Sequence, residues 1–441
     1  MQKKYASLLI LSFALLVTMA KAQETVYPAA PQKGATAITH ATVHVGNGTV
    51  LNDATVVFEK GKITAVGVGV AVPKGATEID GTGKQVYPGL ILPNSFLGLK
   101  EISSGVRGSN DLQEIGENNA DIRSIVSYNT DSKVTNVLRA NGILLAHIAP
   151  EGELIEGRSS VVQLDAWNYE DAEYKANTGM YITIPSMMAR RGGRGGFRAM
   201  MMGGGAPADP AKAAFDKIEI IKNFFTQAKA YLQEKTHVAS NLKFEATRDL
   251  FEGKQKLFVR ANEVKQMLVG IDLGKTFGFS VVIVGGSESF QIANLLAENK
   301  IPVILDQQHA LPATEDDDVD QPYKTPAQLN KAGVLFALND MSDNHKQINL
   351  SFNAGTAATY GLTKEEALTA ITLNSAKILG IDDKTGSVEV GKDANIIVSQ
   401  GDILDMRGNQ LTHAFIQGRS ISLDNKQKQL YERYKHKYGI K

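Results

Sequence analysis

The 441-residue chain has no cysteine, one tryptophan and no formal net charge, with 47 Lys and Arg against 47 Asp and Glu. Without cysteine there is no disulfide, no thiolate nucleophile and no thiolate metal ligand. Without a charge excess, nothing global draws the chain to nucleic acid or to an anionic membrane surface. Long apolar runs are also missing, except at the start. There, Lys3 and Lys4 precede an apolar stretch from Ala6 to Met19, followed by Ala20-Lys21-Ala22. That is the order of a secretory leader with an A-x-A cleavage site, so residues 1–22 are expected to be removed and Gln23 to begin the mature chain. The run is short for a bilayer crossing, and no cysteine follows it to carry a lipid. The expectation is an exported chain, periplasmic or extracellular, with no nucleic-acid partner and no membrane attachment after cleavage.

What is present is an ordinary globular composition, 43% hydrophobic and 21% charged. Two textures divide it. Residues 36–86 are rich in Val, Thr and Ile broken by Gly, Asn and Asp, the pattern of short antiparallel strands. From Pro88, short apolar strands (ILLAHIA, LFVRA, SVVIVGG, IPVILD, GVLFAL) alternate with helical segments such as 213–235, 262–278 and 287–300. Strand–helix alternation of this kind predicts a parallel α/β sheet or barrel. Strand texture returns after residue 380, so the two ends are expected to build one small β domain from 23–88 and 380–422, around a barrel over 89–379. A basic helix or tail, 423–441, closes the chain. The Gly-, Arg- and Met-rich stretch 189–210 and the acidic stretch 309–323 read as surface loops; neither has calcium-loop spacing.

Four stretches carry a likeness to a known family: IDGTGKQVYPGLI (79–91), APEGELIEGRSSVVQLDAW (149–167), LPATEDDDVDQPYKTPAQLNKAGVLFAL (311–338), and 354–398 with its Asn374-Ser375-Ala376 and Gly391-Lys392-Asp393-Ala394-Asn395. Over 36–422 the chain resembles the amidohydrolase superfamily, in particular its exported imidazolonepropionase-like branch. The resemblance implies a (β/α)8 TIM-type barrel with a small composite β-sandwich from both chain ends. It implies a divalent metal at the C-terminal ends of the barrel strands, where a metal-bound water attacks an amide or related C–N bond and an Asp of the last strand handles the proton.

The residues depart from that pattern where the chemistry sits. The Asp-x-His-x-His positions of the first strand hold Leu92, Asn94 and Phe96. A later ligand position, in Val259-Arg260-Ala261, holds Arg260, a fixed cation. The next falls at Gly285-Gly286. Asn is a poor transition-metal ligand and Phe is none, so no metal cofactor is expected. Asp340, with Asp343 behind it, is the candidate for the proton-handling acid. The eight His supply no ligand set at metal spacing; His147 and His309 alone sit at apparent strand ends. Ser159 and Ser160 have no G-x-S-x-G elbow and no His placed by sequence to serve them.

The polar residues left for the barrel mouth are Asn94, Ser95, Arg260, Glu263, Glu288, Asp340 and His147; Asn94, Arg260, Glu288 and His147 are the ligand-binding candidates, with Asp340 as the acid. Arg260 and Asp340 suggest an ion pair. The guanidinium either stands in for the metal's charge or clamps a substrate carboxylate. Three readings stay open: a hydrolase of non-peptide C–N bonds with a degenerate site; a non-catalytic relative that binds a carboxylated small molecule, assembles as a homo-oligomer or pairs with a catalytic homologue; and a scaffold without ligand.

Overall fold

The computed structural model describes residues 27–101, 110–188, 209–306, 308–312, 316–341 and 344–440. The leader, nearly all of the Gly/Arg/Met stretch, and Asp343 lie outside the described residues. Among those described, no helix is long and apolar enough to cross a membrane.

The Val-, Ile- and Thr-rich N-terminal segment forms β1 (Thr36–His44), β2 (Val50–Glu59), β3 (Lys62–Val68), β4 (Thr77–Asp80) and β5 (Gln85–Pro88). Its apolar side, with Ile38, Val56 and Phe58, is buried together with Ile396, Val398 and Phe415 from the other end of the chain. The two ends do share one sheet, because β5 pairs antiparallel with a strand near the C-terminus.

The second sheet is an α/β barrel. Its strands are β6 (Leu90–Ser95), β7 (Ile143–Ile148), β8 (Ile155–Gln163), β9 (Glu173–Thr183), β10 (Lys256–Ala261), β11 (Val281–Gly285), β12 (Val303–Leu305) and β13 (Phe336–Leu338), hydrogen-bonded in that order. β14 (Ile396–Ser399), β15 (Leu411–Ile416) and β16 (Arg419–Ser420) then complete the first sheet. Barrel strands read as unbroken apolar runs because both of their faces are buried. Leu145, Phe258, Val282 and Ile304 fill the interior, while Leu257, Val259, Ile283 and Val303 pack outward among the helices. Gly179 is required under the Phe258 ring: a Cβ there would lie 2.3 Å from it.

Strict strand–helix alternation is broken once. β8 runs antiparallel to both β7 and β9, so it presents its beginning, not its end, at the C-terminal mouth. No ladder joins β13 to β6 among the described residues. The helix Leu373–Leu379 fills that seam: Asn374 donates its Nδ2 to the Phe336 carbonyl at 3.0 Å, and Ile91 N donates to the Ile371 carbonyl at 3.1 Å. Ala376, Ile378 and Leu379 reach the barrel interior.

The sheet and the barrel are held together by a buried ionic cluster. Asp165, just past β8, accepts from Arg139, from Arg419 of β16 at 2.9 Å, and from the Ala29 amide at 2.8 Å. Arg139 and Asp165 are 4% and 3% exposed. Removing one member of such a cluster strands the others in a poor solvent. Asp165→Ala is therefore expected to lower unfolding free energy by about 3–5 kcal/mol, read as a lowered urea midpoint. A change under about 1 kcal/mol, as surface pairs give, would show that the cluster does not hold the two sheets together.

Candidate functional site

The C-terminal ends of β6, β9, β10, β12 and β13 and the beginning of β8 converge on one polar layer. Its centre is Arg260, at the end of β10. The Arg260 Nε donates to Glu156 Oε2 at 2.9 Å, one Nη donates to the Pro150 carbonyl at 3.1 Å, and the guanidinium lies 4.7 Å from the centroid of the Tyr181 ring. Glu156, 2% exposed, also accepts from Thr183. Burial pushes the Glu156 carboxyl up, and the Arg260 charge and Thr183 offset part of that rise. For Arg260, burial pulls the guanidinium down, but the Glu156 carboxylate and Tyr181 outweigh it and hold it above its ordinary value. The partner expected from sequence was Asp340. The antiparallel β8 instead brings Glu156 to Arg260, and Asp340 accepts from Asn353 Nδ2 at 3.2 Å.

Beside this pair lies Asp306, which follows β12 and was not singled out in the sequence. Its Oδ1 accepts from Asn339 at 2.8 Å and from Asn94 at 3.2 Å. Burial raises its carboxyl, and Asn339, Arg260 and Asn94 each pull it back in part, while Asp340 adds to the rise. A strand-end acid after the apolar run of IPVILD was the available signal. Asn94 thus acts as a donor to a carboxylate, held by Tyr181 OH at its Oδ1, 3.3 Å.

His147 lies deeper, 0% exposed. Its Nδ1 is 2.9 Å from the Pro93 carbonyl, which can only accept, so Nδ1 carries the proton. Nε2 then accepts from Ser159 Oγ at 2.7 Å. The β7–β8 ladder, with His147 opposite Val161, sets Ser159 diagonally across from it, a juxtaposition the sequence reading did not anticipate. The spacing is that of a nucleophile and its base, but Ser159 is also fully buried and neither residue lines the cavity at the barrel mouth. The pair is part of the packed interior.

Glu288 caps a helix: its Oε2 accepts from Val264 N at 2.8 Å, at the start of Val264–Phe277. His309 stays at the rim, bonded to Thr356 Oγ1 at 2.9 Å. A cavity of about 440 Å³ opens beside the polar layer, lined by Glu263, Glu288, Asp306, Gln308, Leu311 and Met341 among others. Of the residues singled out by sequence, Glu263, Glu288 and Gly285 line it, and Asn94, Arg260, His147 and Asp340 do not. A shallower depression of about 590 Å³ on the outer wall, between Phe290–Leu295 and Gln328–Ala332, is remote from the strand ends.

The residues at the resemblance's ligand positions do not fit a divalent cation. Arg260 brings a paired guanidinium, and Asn94 turns its NH2 toward the nearest carboxylate. Phe96 is packed with Leu99 and Leu112. Gly285 has φ 103°, and a Cβ there would lie 2.5 Å from the Asn262 side chain, so no ligand-bearing residue fits unstrained.

Burial also pushes His147 down to about 3 from an ordinary 6.5, against the pull of the Pro93 carbonyl. Its folded-state value is depressed, and it is a base. The unfolded chain therefore binds the extra proton below about pH 6.5, and stability present above that pH is lost as pH falls toward 3. The slope from this one group is about 1.4 kcal/mol per pH unit. In urea unfolding between pH 6.5 and 4, His147→Gln should show a shallower loss of stability than the parent chain; equal slopes would mean that the imidazole already titrates in the folded state.

Residues 284–421 match the Amidohydrolase family. A segment of 82 residues is 39% identical to the imidazolonepropionase of Thermoplasma volcanium, covering 18% of this chain and 20% of that protein. A segment of 46 residues is 54% identical to the imidazolonepropionase of Shewanella oneidensis, covering 10% of this chain and 11% of that one. The chain thus matches a fifth or less of the length of these curated relatives. Among solved structures, an amidohydrolase from Thermotoga maritima superposes with a TM-score of 0.75 at 26% identity, covering 88% of this chain and 99% of that one. Molinate hydrolase shares the fold at 16% identity and a TM-score of 0.52, covering 90% and 96%. Family match, local identity and a near full-length superposition agree in supporting the amidohydrolase superfamily for this chain.

Proposed function

We propose that this chain is a non-hydrolytic, ligand-binding member of the superfamily, an exported protein that uses the cavity at its barrel mouth to hold a small molecule. The observation that carries the reading is the Arg260–Glu156 pair at the end of β10. A guanidinium that stays protonated throughout the accessible pH range repels a divalent ion. Bulk water is a weak nucleophile at neutral pH without such an ion. His147 does not supply a substitute base, since it is buried and committed to Ser159 and Pro93.

The carboxylate-clamp role for Arg260 loses support in the same geometry. Its Nε and one Nη are spent on Glu156 and Pro150, and Arg260 does not line the cavity. A carboxylated ligand entering there would meet Asp306, Glu263 and Glu288. Arg260 therefore supports the other expected role, a fixed positive charge within the protein.

The mature chain, offered an excess of Zn²⁺, Mn²⁺, Fe²⁺ or Ni²⁺ and then desalted, is expected to retain no stoichiometric metal and to leave cyclic amides and dipeptides uncleaved; one ion per chain, or turnover that a chelator abolishes, would overturn the reading. The pair itself gives an independent check. Glu156→Ala strands the guanidinium and should cost about 3–5 kcal/mol in urea unfolding, whereas the joint change Glu156→Leu with Arg260→Met should restore most of that loss. Equal losses in the single and joint variants would show that the two side chains do not act as a pair.

A further inference from the structure

The mouth cavity has a one-sided chemistry that the superfamily assignment does not specify. Among the described residues, Glu263, Glu288, Asp306 and Asp317 line it, and no described Lys, Arg or His does. Acidic lining alone would say little, since such clusters are commonly solvated. The second observation is Gln308. Its side chain is 2% exposed, it lines the cavity, and its Oε1 has no hydrogen-bond partner. Glu263 adds another: Ser186 bonds its Oε1, while its Oε2 is buried without a partner. A buried acceptor left unmade costs about 1–3 kcal/mol, so two of them among the lining residues favour a ligand that brings N–H donors.

Nearby donors are already used elsewhere. Gln321 directs its Nε2 to Thr325 and Gln328, and the Asn94 and Asn339 amides are engaged with Asp306. The carboxylates of Glu263, Glu288 and Asp306 and the Gln308 amide thus stand in the polar lining beside Asn262, Ser287 and Thr325, with Leu305, Leu311 and Met341 as apolar walls.

We propose that this cavity takes an organic cation, an ammonium or amidinium group on a small apolar body, with its N–H donors on Gln308, Glu263 and Asp306. The inference rests on the ligand-binding reading above and names the class of ligand. A cation satisfies the unpartnered acceptors and the acidic wall together. An anion of the same shape satisfies neither, and a neutral amide satisfies only part of the set. The volume of about 440 Å³ lies within the range of small-molecule sites.

Titration calorimetry on the mature chain tests this with four probes: benzamidinium and phenethylammonium as cations, benzamide as the neutral isostere, and benzoate as the anion. Both cations are expected to bind, with benzamide at least about tenfold weaker and benzoate without measurable heat. Gln308→Leu, which removes an unpaired acceptor, should weaken the cations by about tenfold or more without lowering the thermal midpoint. Glu263→Gln should weaken them while leaving benzamide unchanged. Benzoate binding as tightly as the cations, no binding by either cation, or cation binding indifferent to both substitutions would overturn the proposal. N-acylated phenethylamines bearing a second, free amino group, incubated in parallel, separate the two readings. Cation-selective binding with cleavage leaves this proposal standing and removes the non-hydrolytic one; anion-selective binding without cleavage does the reverse.

Discussion

The buried contact between Arg260 and Glu156 is the constraint around which the barrel mouth is arranged. Each group alone would be costly in that environment, and each makes the other tolerable. The pair also fixes its neighbours. The guanidinium rests on the Tyr181 ring, which stacks on Phe258 at 4.8 Å between centroids, and the Phe258 ring in turn requires Gly179 beneath it. His147 lies 5.0 Å from the Phe258 ring, and the nearby Arg260 charge adds to the burial that keeps it neutral. One ion pair at the surface of the layer therefore reaches the packed interior through a column of rings. Such a pair is weak support for net stability, but it specifies one arrangement of four strands.

A second network follows from the same replacement of ligands by donors. Asn94 and Asn339 together place NH2 groups on Asp306, and Asn339 also donates to the Asn94 carbonyl at 2.8 Å. Amide donors favour the charged carboxylate, as a cation would, but their hydrogen bonds are directional and use up Asp306 lone pairs.

The large-scale architecture was legible because its signals are local or repetitive. The two textures are visible in any window of the sequence, and the most specific motif is structural in every part that can be followed. Asn374 ties the seam helix to β13, Ala376 packs into the barrel, Asp393 pairs with Lys62 at 2.6 Å, and Asn395 bonds Thr385 at 3.0 Å. The resemblance carried by those residues accordingly speaks for fold. The site was legible only in part. The Arg260 position could be read from its flanking residues, but its partner lies 104 positions away. Moreover, the rule that functional groups sit at the ends of barrel strands looks at the wrong end of β8, whose reversed direction puts Glu156 near the mouth. Asp306 obeyed the rule and was missed in favour of Asp340, one strand further on.

An arginine does not distribute charge as a divalent ion would. A divalent ion is mobile until its ligands fix it, and it settles where the surrounding carboxylates balance. A guanidinium is tethered to one strand, and here its tether, its stacking on Tyr181 and its bonds to Glu156 and Pro150 all draw it toward β8 and β9. Its charge is cancelled there by Glu156. Asp306 feels Arg260 only as a partial offset to its own burial, and Glu263 and Glu288 are held by a hydroxyl and a helix N-terminus, not by a cation. The mouth is left polarised, with a neutralised side over β8–β10 and an acidic side over β11 and β12. The cavity opens on the acidic side, so the placement of Arg260 over β8–β10 also sets the sign of the field that an incoming molecule meets there.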